Sequence, residues 1–401
     1  MSKYNKKNLF LLFYLIFIGF FAIFFLYAKH NVGNDSSISD WIINYQGGFT
    51  RRGLAGEISF FFATLFNTSL RFVIFIFQSF FHLFYLILFF YFIKDMEDKF
   101  ILKLAFFSPI FLLFPIADIE SLGRKETIIF VFYLLLLYLS DVRLKSYFTN
   151  TYVFFIFPIA FLIWEPVIFF FPYILFILFI KNHSKNFLKL YIKIFFISLP
   201  SLVVFFLIIY FPLSTEGWKI MCKTLEESFN QNCYMSAALL ESKKGILTQF
   251  IVNIPDYKPI YLLRYFFIFL IGFLPAIIIL FNSKFKKKYF FYFKKTILIF
   301  ILLNIFVPIF FLSLFDWGRG INIFYSFCLL TLIFCIKNKI IIISLNKNFL
   351  LAIKKKISPK IINLFFFIYI FTWNIKTTIR EDIGSFPLWR VPYKFYKLFL
   401  M

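Results

Sequence analysis

Charged residues are scarce in this sequence, and acidic residues are the scarcest. Only 15% of the 401 residues are charged, whereas 62% are hydrophobic and 25% are aromatic. A soluble globular domain needs far more polar surface than this, so the composition excludes that class. Hydrophobic runs of about 16 to 24 residues recur along the whole chain, and a helix of that length crosses a bilayer. We therefore expect an all-α, polytopic transmembrane helical bundle.

Histidine and cysteine are also rare, with three and four copies. They form no cluster with metal-ligand spacing, so we expect no metal and no cofactor. The net charge of +24 would suggest nucleic acid in a soluble protein. Here most lysines lie in short loops between hydrophobic segments, as the positive-inside rule requires, and we expect no nucleic-acid partner. No internal repeat is evident, which disfavours a repeat-built transporter.

The hydrophobic segments predict about eleven transmembrane helices, with a range of roughly ten to twelve, in a single integral membrane domain covering 1–401. Lysines before the first segment place the N-terminus in the cytoplasm. The first periplasmic segment, 29–69, contains a short apolar stretch that predicts a re-entrant or interfacial helix at 58–66. One longer periplasmic loop covers 212–258. The predicted transmembrane helices are 8–28, 70–93, 100–117, 127–139, 151–163, 167–180, 190–211, 259–281, 296–315, 321–336 and 361–373.

The charged residues differ between the two sides of this predicted topology. The cytoplasmic loops are lysine-rich, whereas the outer turns combine arginine with acids, glycine and tryptophan. Positive charge outside opposes the topogenic preference, and ionisable groups at membrane depth are costly and usually functional. The outer set is Asp40, Arg51, Arg52, Glu57, Asp118, Glu120, Arg124, Lys125, Glu126, Glu165, Asp316 and Arg319.

These residue types suit glycosyl transfer from a lipid-linked diphosphate sugar. The planar guanidinium fork of arginine matches phosphate oxygens, and nearby glycines allow the backbone to approach closely. Arginines would stabilise the departing diphosphate, and no metal is needed. We predict that the substrate-binding residues are Arg51, Arg52, Arg124, Lys125, Glu126 and Arg319.

A carboxylate would deprotonate the accepting hydroxyl group. Glu165 stands between two apolar segments without a charged neighbour in the sequence, so it is our first candidate for the base. Asp40 and Asp316 are the next candidates.

Each of these motifs also has a structural interpretation. Arg51 and Arg52 could anchor the chain to lipid headgroups, and 123–126 could be an ion-paired helix start. Asp316 and Arg319 could pair at a helix joint. In the long outer loop, Cys222 and Cys233 would form a disulfide in an oxidising space, with two free thiols as the alternative.

Three strings resemble a known family: NYQGGFTRRGL at 44–54, GRKE at 123–126 and DWGR at 316–319. Together with the layout of the helices, they are similar to the O-antigen polymerases (Wzy-type) of bacterial surface-polysaccharide loci. The resemblance implies a multi-pass inner-membrane enzyme that joins undecaprenyl-diphosphate-linked oligosaccharide repeat units at the periplasmic face. It implies membrane lipid and the lipid-linked oligosaccharide as partners, with a chain-length regulator as a further candidate.

Two other functions stay open. Glycosyltransferases of the broad GT-C class use an acid in the first outer loop, and Asp40 fits that pattern, although it lacks the second acid of a DxD motif. A flippase of lipid-linked oligosaccharide would place charge along a path that reaches both leaflets. The charges here gather on one side, which favours an enzyme.

Overall fold

A computed structural model gives the fold of this protein. It describes residues 3–32, 36–96, 100–182, 186–238, 240, 251, 254, 257–286, 296–343, 358–378, 384–385 and 396. Several predicted segments lie outside these residues: most of the long loop after Ala238, the lysine-rich stretches 287–295 and 344–356, and most of the predicted outer tail.

The described chain is mostly helical. Six of its helices are long and apolar enough to cross a bilayer, which supports a membrane protein but does not confirm the predicted count of eleven. Three shorter apolar helices cover Gly53–Leu65, Glu126–Leu139 and Lys360–Phe371. The six candidate spans are Leu9–Asn31, Leu70–Ile93, Ser146–Ile163, Phe187–Tyr210, Pro259–Phe281 and Trp317–Lys337.

The chain divides into two compact units, of which the first comprises Met1–Lys94 and Ile119–Gln249. Some of its helices begin at a capping residue: the Ser69 hydroxyl accepts a hydrogen bond from Phe72 N–H at the start of the helix Leu70–Ile93. The elements are α1 (Lys3–Val32), α2 (Ser36–Trp41), α3 (Gly53–Leu65), α4 (Leu70–Ile93), a 3-10 turn (Ile119–Ser121), α7 (Glu126–Leu139), α8 (Ser146–Ile163), a 3-10 helix (Glu165–Phe170), α9 (Phe171–Lys181), α10 (Phe187–Tyr210), α11 (Thr215–Phe229) and α12 (Met235–Ala238).

Within this unit α8 packs along α10, and α4 packs against both α1 and α7. Because α7, α8 and α9 alternate in direction, the start of α7 and the junction of α8 with the 3-10 helix lie at one end of the unit. At the opposite end, the Lys181 ammonium donates hydrogen bonds to the carbonyl groups of Asp141 and Leu144. The Asn150 and Asn182 amides bond to each other there.

The second unit comprises Asp95–Asp118 and Phe250–Met401. Its short strands pair as two antiparallel ribbons, β1 with β2 and β3 with β4. The elements are α5 (Phe100–Phe106), α6 (Phe114–Ala117), α13 (Pro259–Phe281), β1 (Ser283–Phe285), α14 (Thr296–Leu303), α15 (Val307–Leu312), α16 (Trp317–Lys337), β2 (Ile341–Ile343), α17 (Pro359–Phe371), β3 (Trp373–Asn374) and β4 (Gly384–Ser385).

The prediction of one continuous helix over 100–117 is wrong. The structure has two short helices, α5 and α6, separated by a buried non-helical stretch that contains Pro109. Proline has no N–H group and disfavours helical backbone at the residue before it. The Asn322 amide of α16 donates to the carbonyl groups of Ile110 and Phe111, and these bonds satisfy backbone that the break leaves open.

Other predicted boundaries also change. The helix predicted over 296–315 is interrupted after Leu303, before Pro308 in α15. The helix predicted over 151–163 starts five residues earlier, at Ser146, and the one predicted over 167–180 begins as a 3-10 helix. The short apolar helix predicted at 58–66 is α3, Gly53–Leu65. At about 1.5 Å per residue, the 14 residues of α7 span about 21 Å, which is shorter than a bilayer core.

Candidate active site

The loop between α2 and α3 is folded by its own polar groups. The Glu57 carboxylate accepts hydrogen bonds from Tyr45 N–H and from the Gln46 side-chain amide, both at 2.8 Å. The Asn44 amide oxygen accepts another from Gln46 N–H at 3.0 Å. Because Glu57 lies in α3, these bonds tie the loop to the helix that follows it.

The helix α3 approaches the preceding chain closely at Gly56. A Cβ atom at this position would lie 1.9 Å from the Ile43 carbonyl oxygen and 2.5 Å from the Trp41 carbonyl oxygen. Only glycine permits such an approach, since any side chain would force the two segments apart. The contact brings the start of α3 next to the residues that follow Asp40.

Arg52, the residue before α3, is the centre of an ion cluster. Its guanidinium Nε and Nη2 donate to Glu165 Oε2 and Oε1 at 2.8 and 2.9 Å, which is a bidentate pair. Its Nη1 lies 3.5 Å from Asp40 Oδ1. The side chains of Asp40 and Glu165 are only 3% and 15% exposed. Three separate segments therefore meet at this arginine.

Two further cations adjoin the cluster. Arg51 Nη1 lies 4.0 Å from Glu165 Oε1, and its side chain, 32% exposed, is more open than those of Arg52 and the two acids. The Lys125 side chain is fully buried, and its Nζ donates to the Arg52 carbonyl oxygen at 2.6 Å. Arg52 has a left-handed backbone with φ 61°, and this conformation is unfavourable for a residue with a side chain.

Burial and neighbouring charges oppose each other in this cluster. Burial alone would raise the pKa of Glu165, but the charge and hydrogen bonds of Arg52, with the charge of Arg51, hold it below its ordinary value. Burial lowers the pKa of Lys125 to about 8, and the carboxylates of Asp40 and Glu165 only partly offset this. Burial also lowers the pKa of Arg51. Glu165 therefore carries its negative charge within the cluster.

Arg124 contacts other groups of the same unit. Its Nη1 and Nη2 donate to the carbonyl and hydroxyl oxygens of Ser36 at 3.0 and 2.6 Å, and its Nε donates to Glu120 O at 3.1 Å. Glu126 is 4% exposed at the start of α7, where a helix dipole favours an acid. The ion-paired helix start suggested for the 123–126 string and a diphosphate contact by Arg124, Lys125 or Glu126 both stay predictions.

Asp316 and Arg319 belong to the second unit. Asp316 precedes α16 and Arg319 lies in the first turn of that helix, where their side chains pair at 3.4 Å. A Cβ at Gly318 would lie 1.9 Å from the Lys376 carbonyl oxygen, so this turn packs against backbone near Thr377. The roles predicted for Asp316 as a base and for Arg319 as a diphosphate ligand stay predictions.

A disulfide lies in the segment that contacts the loop between α2 and α3. Cys222 in α11 is bonded to Cys233, as one of the two sequence interpretations predicts. A Cβ at Gly47 would lie 1.8 Å from the Gly217 carbonyl oxygen, so α11 touches the loop backbone directly. Ser236 N–H also donates to Ser39 Oγ at 3.2 Å, next to Asp40.

Sequence reasoning missed the residues that hold these charged groups in place. Ser36, which binds Arg124, is 88 positions away from it and gives no signal of its own. The contact between Gly47 and Gly217 could have been suspected only from the excess of glycine in the first loop. Within the described ranges, no three or more His, Cys, Asp or Glu side chains are placed to hold a metal ion.

Comparisons of this chain with protein-family models, with curated proteins and with solved structures find no match.

Proposed function

We propose that this protein is a membrane-embedded glycosyltransferase that polymerises undecaprenyl-diphosphate-linked oligosaccharide repeat units of an O-antigen or capsule. The observation that supports this most is the cluster of Arg51, Arg52 and Lys125 with the buried Asp40 and the largely buried Glu165 at one end of a set of apolar helices. A lipid-linked diphosphate presents its charged group at the membrane surface, beside its apolar chain. Cations at the end of a membrane helix lie at the same depth as this diphosphate and can bind it there.

In the proposed reaction, a hydroxyl group of the acceptor sugar attacks the anomeric carbon of the donor. A new C–O bond forms, and the bond from that carbon to the diphosphate oxygen breaks with its electron pair. The arginines stabilise the charge that develops on the departing diphosphate. A carboxylate takes the hydroxyl proton, with Glu165 as first candidate and Asp40 as second.

A GT-C-type transferase that uses a polyprenyl-phosphate sugar is the second candidate. The position of Asp40 favours it, since this acid follows α1 closely and is buried beside Arg52. The two functions share their bond chemistry and differ in the donor. An assay that offers either a lipid-linked oligosaccharide or a single lipid-linked sugar separates them.

The decisive test is the banding of lipopolysaccharide or capsule from a deletion strain of the bacterium that encodes this protein. We expect the polymer ladder to disappear while the core capped with a single repeat unit remains. Complementation with Arg52→Ala should not restore the ladder, because Arg52 contacts the first two candidate bases, Glu165 and Asp40.

The matched control is Arg143→Ala. Arg143 also forms a two-contact pair with an acid, Asp141, but at the opposite end of the first unit and in an exposed position. This variant should restore the ladder. Long chains made by Arg52→Ala, at normal protein level in the membrane, would contradict the assignment.

A further inference from the structure

The Glu165 carboxylate occupies the edge of Arg52 that a phosphate would use. The Nε and Nη2 atoms of an arginine form a planar fork, and carboxylate and phosphate oxygens both fit it with two parallel hydrogen bonds. Here that fork is filled by the two Glu165 oxygens at 2.8 and 2.9 Å. An incoming phosphate can gain the same two bonds only by replacing Glu165.

The surroundings of this pair favour such an exchange. Asp40 is paired with Nη1 of Arg52, which is not one of the two atoms that bind Glu165. Arg52 therefore keeps a negatively charged partner when Glu165 is displaced. Lys125 holds the Arg52 backbone carbonyl in place. Arg51, the more exposed cation, lies 4.0 Å from Glu165 and adds a second positive group for the displacing anion.

We propose that Glu165 is an internal substitute for the substrate phosphate, and that the diphosphate of the lipid-linked donor displaces it from Arg52 and so frees it to act as the base. This inference rests on the proposed function and adds the order in which the steps of the reaction occur. Phosphate binding and base activation become one step, and the freed carboxylate takes the proton of the acceptor hydroxyl. The enzyme then acquires its base only when a donor is bound.

The physical reason is the change in what surrounds the carboxylate. While Arg52 binds it, Glu165 is held in its charged form with a lowered pKa, and such a carboxylate is a weak base. Once the phosphate has replaced Glu165 on Arg52, burial and the nearby anions raise the pKa of Glu165. The charges that act on Glu165 are those of Arg52, Arg51 and Lys125, and Asp40 and Glu126 act on Arg52 and Lys125 beside it.

The test measures binding of undecaprenyl diphosphate to the full-length protein in detergent. Glu165→Gln removes the competing anion while nearly keeping its shape. We expect this variant to bind the probe more tightly than the native protein, by about tenfold or more given the strength of charged hydrogen bonds. It should also lose glycosyl transfer, because an amide cannot accept the proton.

Asp141→Asn is the matched control. Asp141 also binds an arginine, Arg143, through both carboxylate oxygens, but at the other end of the unit. Its affinity for the probe should equal that of the native protein. Inorganic diphosphate, added as competitor, should show the same preference for Glu165→Gln if the fork recognises the diphosphate itself; a preference confined to the lipid would overturn the proposal.

The outcomes separate this inference from the function on which it rests. Tighter binding by Glu165→Gln supports the displacement. Equal or weaker binding, with an unchanged unfolding midpoint, overturns it and leaves the arginine clamp intact. Absence of binding by both proteins overturns the proposed function itself. If Glu165→Gln does not fold, Glu165→Asp, whose shorter side chain draws the carboxylate away from the Arg52 fork, is judged by the same criterion.

Discussion

Arg52 forms hydrogen bonds through both its side chain and its backbone carbonyl, and these bonds hold it in an unfavourable backbone conformation. Its left-handed conformation costs on the order of 1–3 kcal/mol for a residue with a side chain. Hydrogen bonds from Lys125 to its carbonyl oxygen and from its guanidinium to Glu165 offset that cost. Arg51, one residue earlier, has a more exposed side chain. The adjacent arginines therefore have different surroundings, and the sequence alone does not separate them.

The lowered pKa of Lys125 predicts that the stability of the folded protein depends on pH. Its pKa is lowered to about 8 in the folded protein, against 10.5 for the group in its ordinary state. Between these values the unfolded chain binds more protons, so stability should rise with pH from about 8 to about 10.5. Below pH 8 the cost of the buried charge is fully present. Unfolding midpoints of the detergent-solubilised protein across this range test the prediction.

Lys125→Met removes the titrating group and is the comparison for that series. Its midpoint should lack the rise that the native protein shows between pH 8 and 10.5. A rise of the same size in both proteins would assign the effect to other groups.

At the scale of the element, the position of α3 depends on a glycine contact. Gly56→Ala would place a methyl group against the carbonyl oxygens of Ile43 and Trp41, which are backbone atoms with little room to move. We expect a loss of about 1–3 kcal/mol in unfolding free energy, as for overpacked sites. Arg52 directly precedes α3, and the carbonyl groups that Gly56 contacts lie just after Asp40. A shift of α3 should therefore disturb the pairing of Arg52 with Asp40, and the polymer ladder should weaken as well.

Gly19→Ala is the control for this variant. Gly19 lies in α1, and a Cβ there would meet the movable end of the Leu83 side chain at 3.1 Å. Its effect on stability and on the ladder should be smaller. Equal effects of the two substitutions would mean that the contact of α3 with the loop has no special role.

At the scale of the whole molecule, the two ends of the first unit should face opposite sides of the membrane. Lys219 is exposed on α11, which touches the loop between α2 and α3, and Arg143 is exposed at the other end. We expect Lys219→Cys to react with an impermeant maleimide on intact spheroplasts. Arg143→Cys should react only after permeabilisation. Labelling of both from the same side would overturn the predicted topology.

Some of the fold followed from local sequence. Long hydrophobic runs predict spans because a helix satisfies its own backbone hydrogen bonds inside a bilayer, and the described chain has six helices long and apolar enough to span one. The breaks near Pro109 and Pro308 were missed because hydrophobicity continues across them. The length of a hydrophobic run does not show where its backbone hydrogen bonds end.

The sequence by itself determined the chemical inventory of the candidate site: arginines, acids and glycines concentrated in the turns at one side of the predicted topology. Only the tertiary structure decided the pairing. Glu165, which has no charged neighbour in the sequence, binds Arg52 from 113 positions away. Arg124 instead donates a hydrogen bond to Ser36. Charge placement follows from local composition, but partners depend on which helix ends the packing of apolar faces brings together.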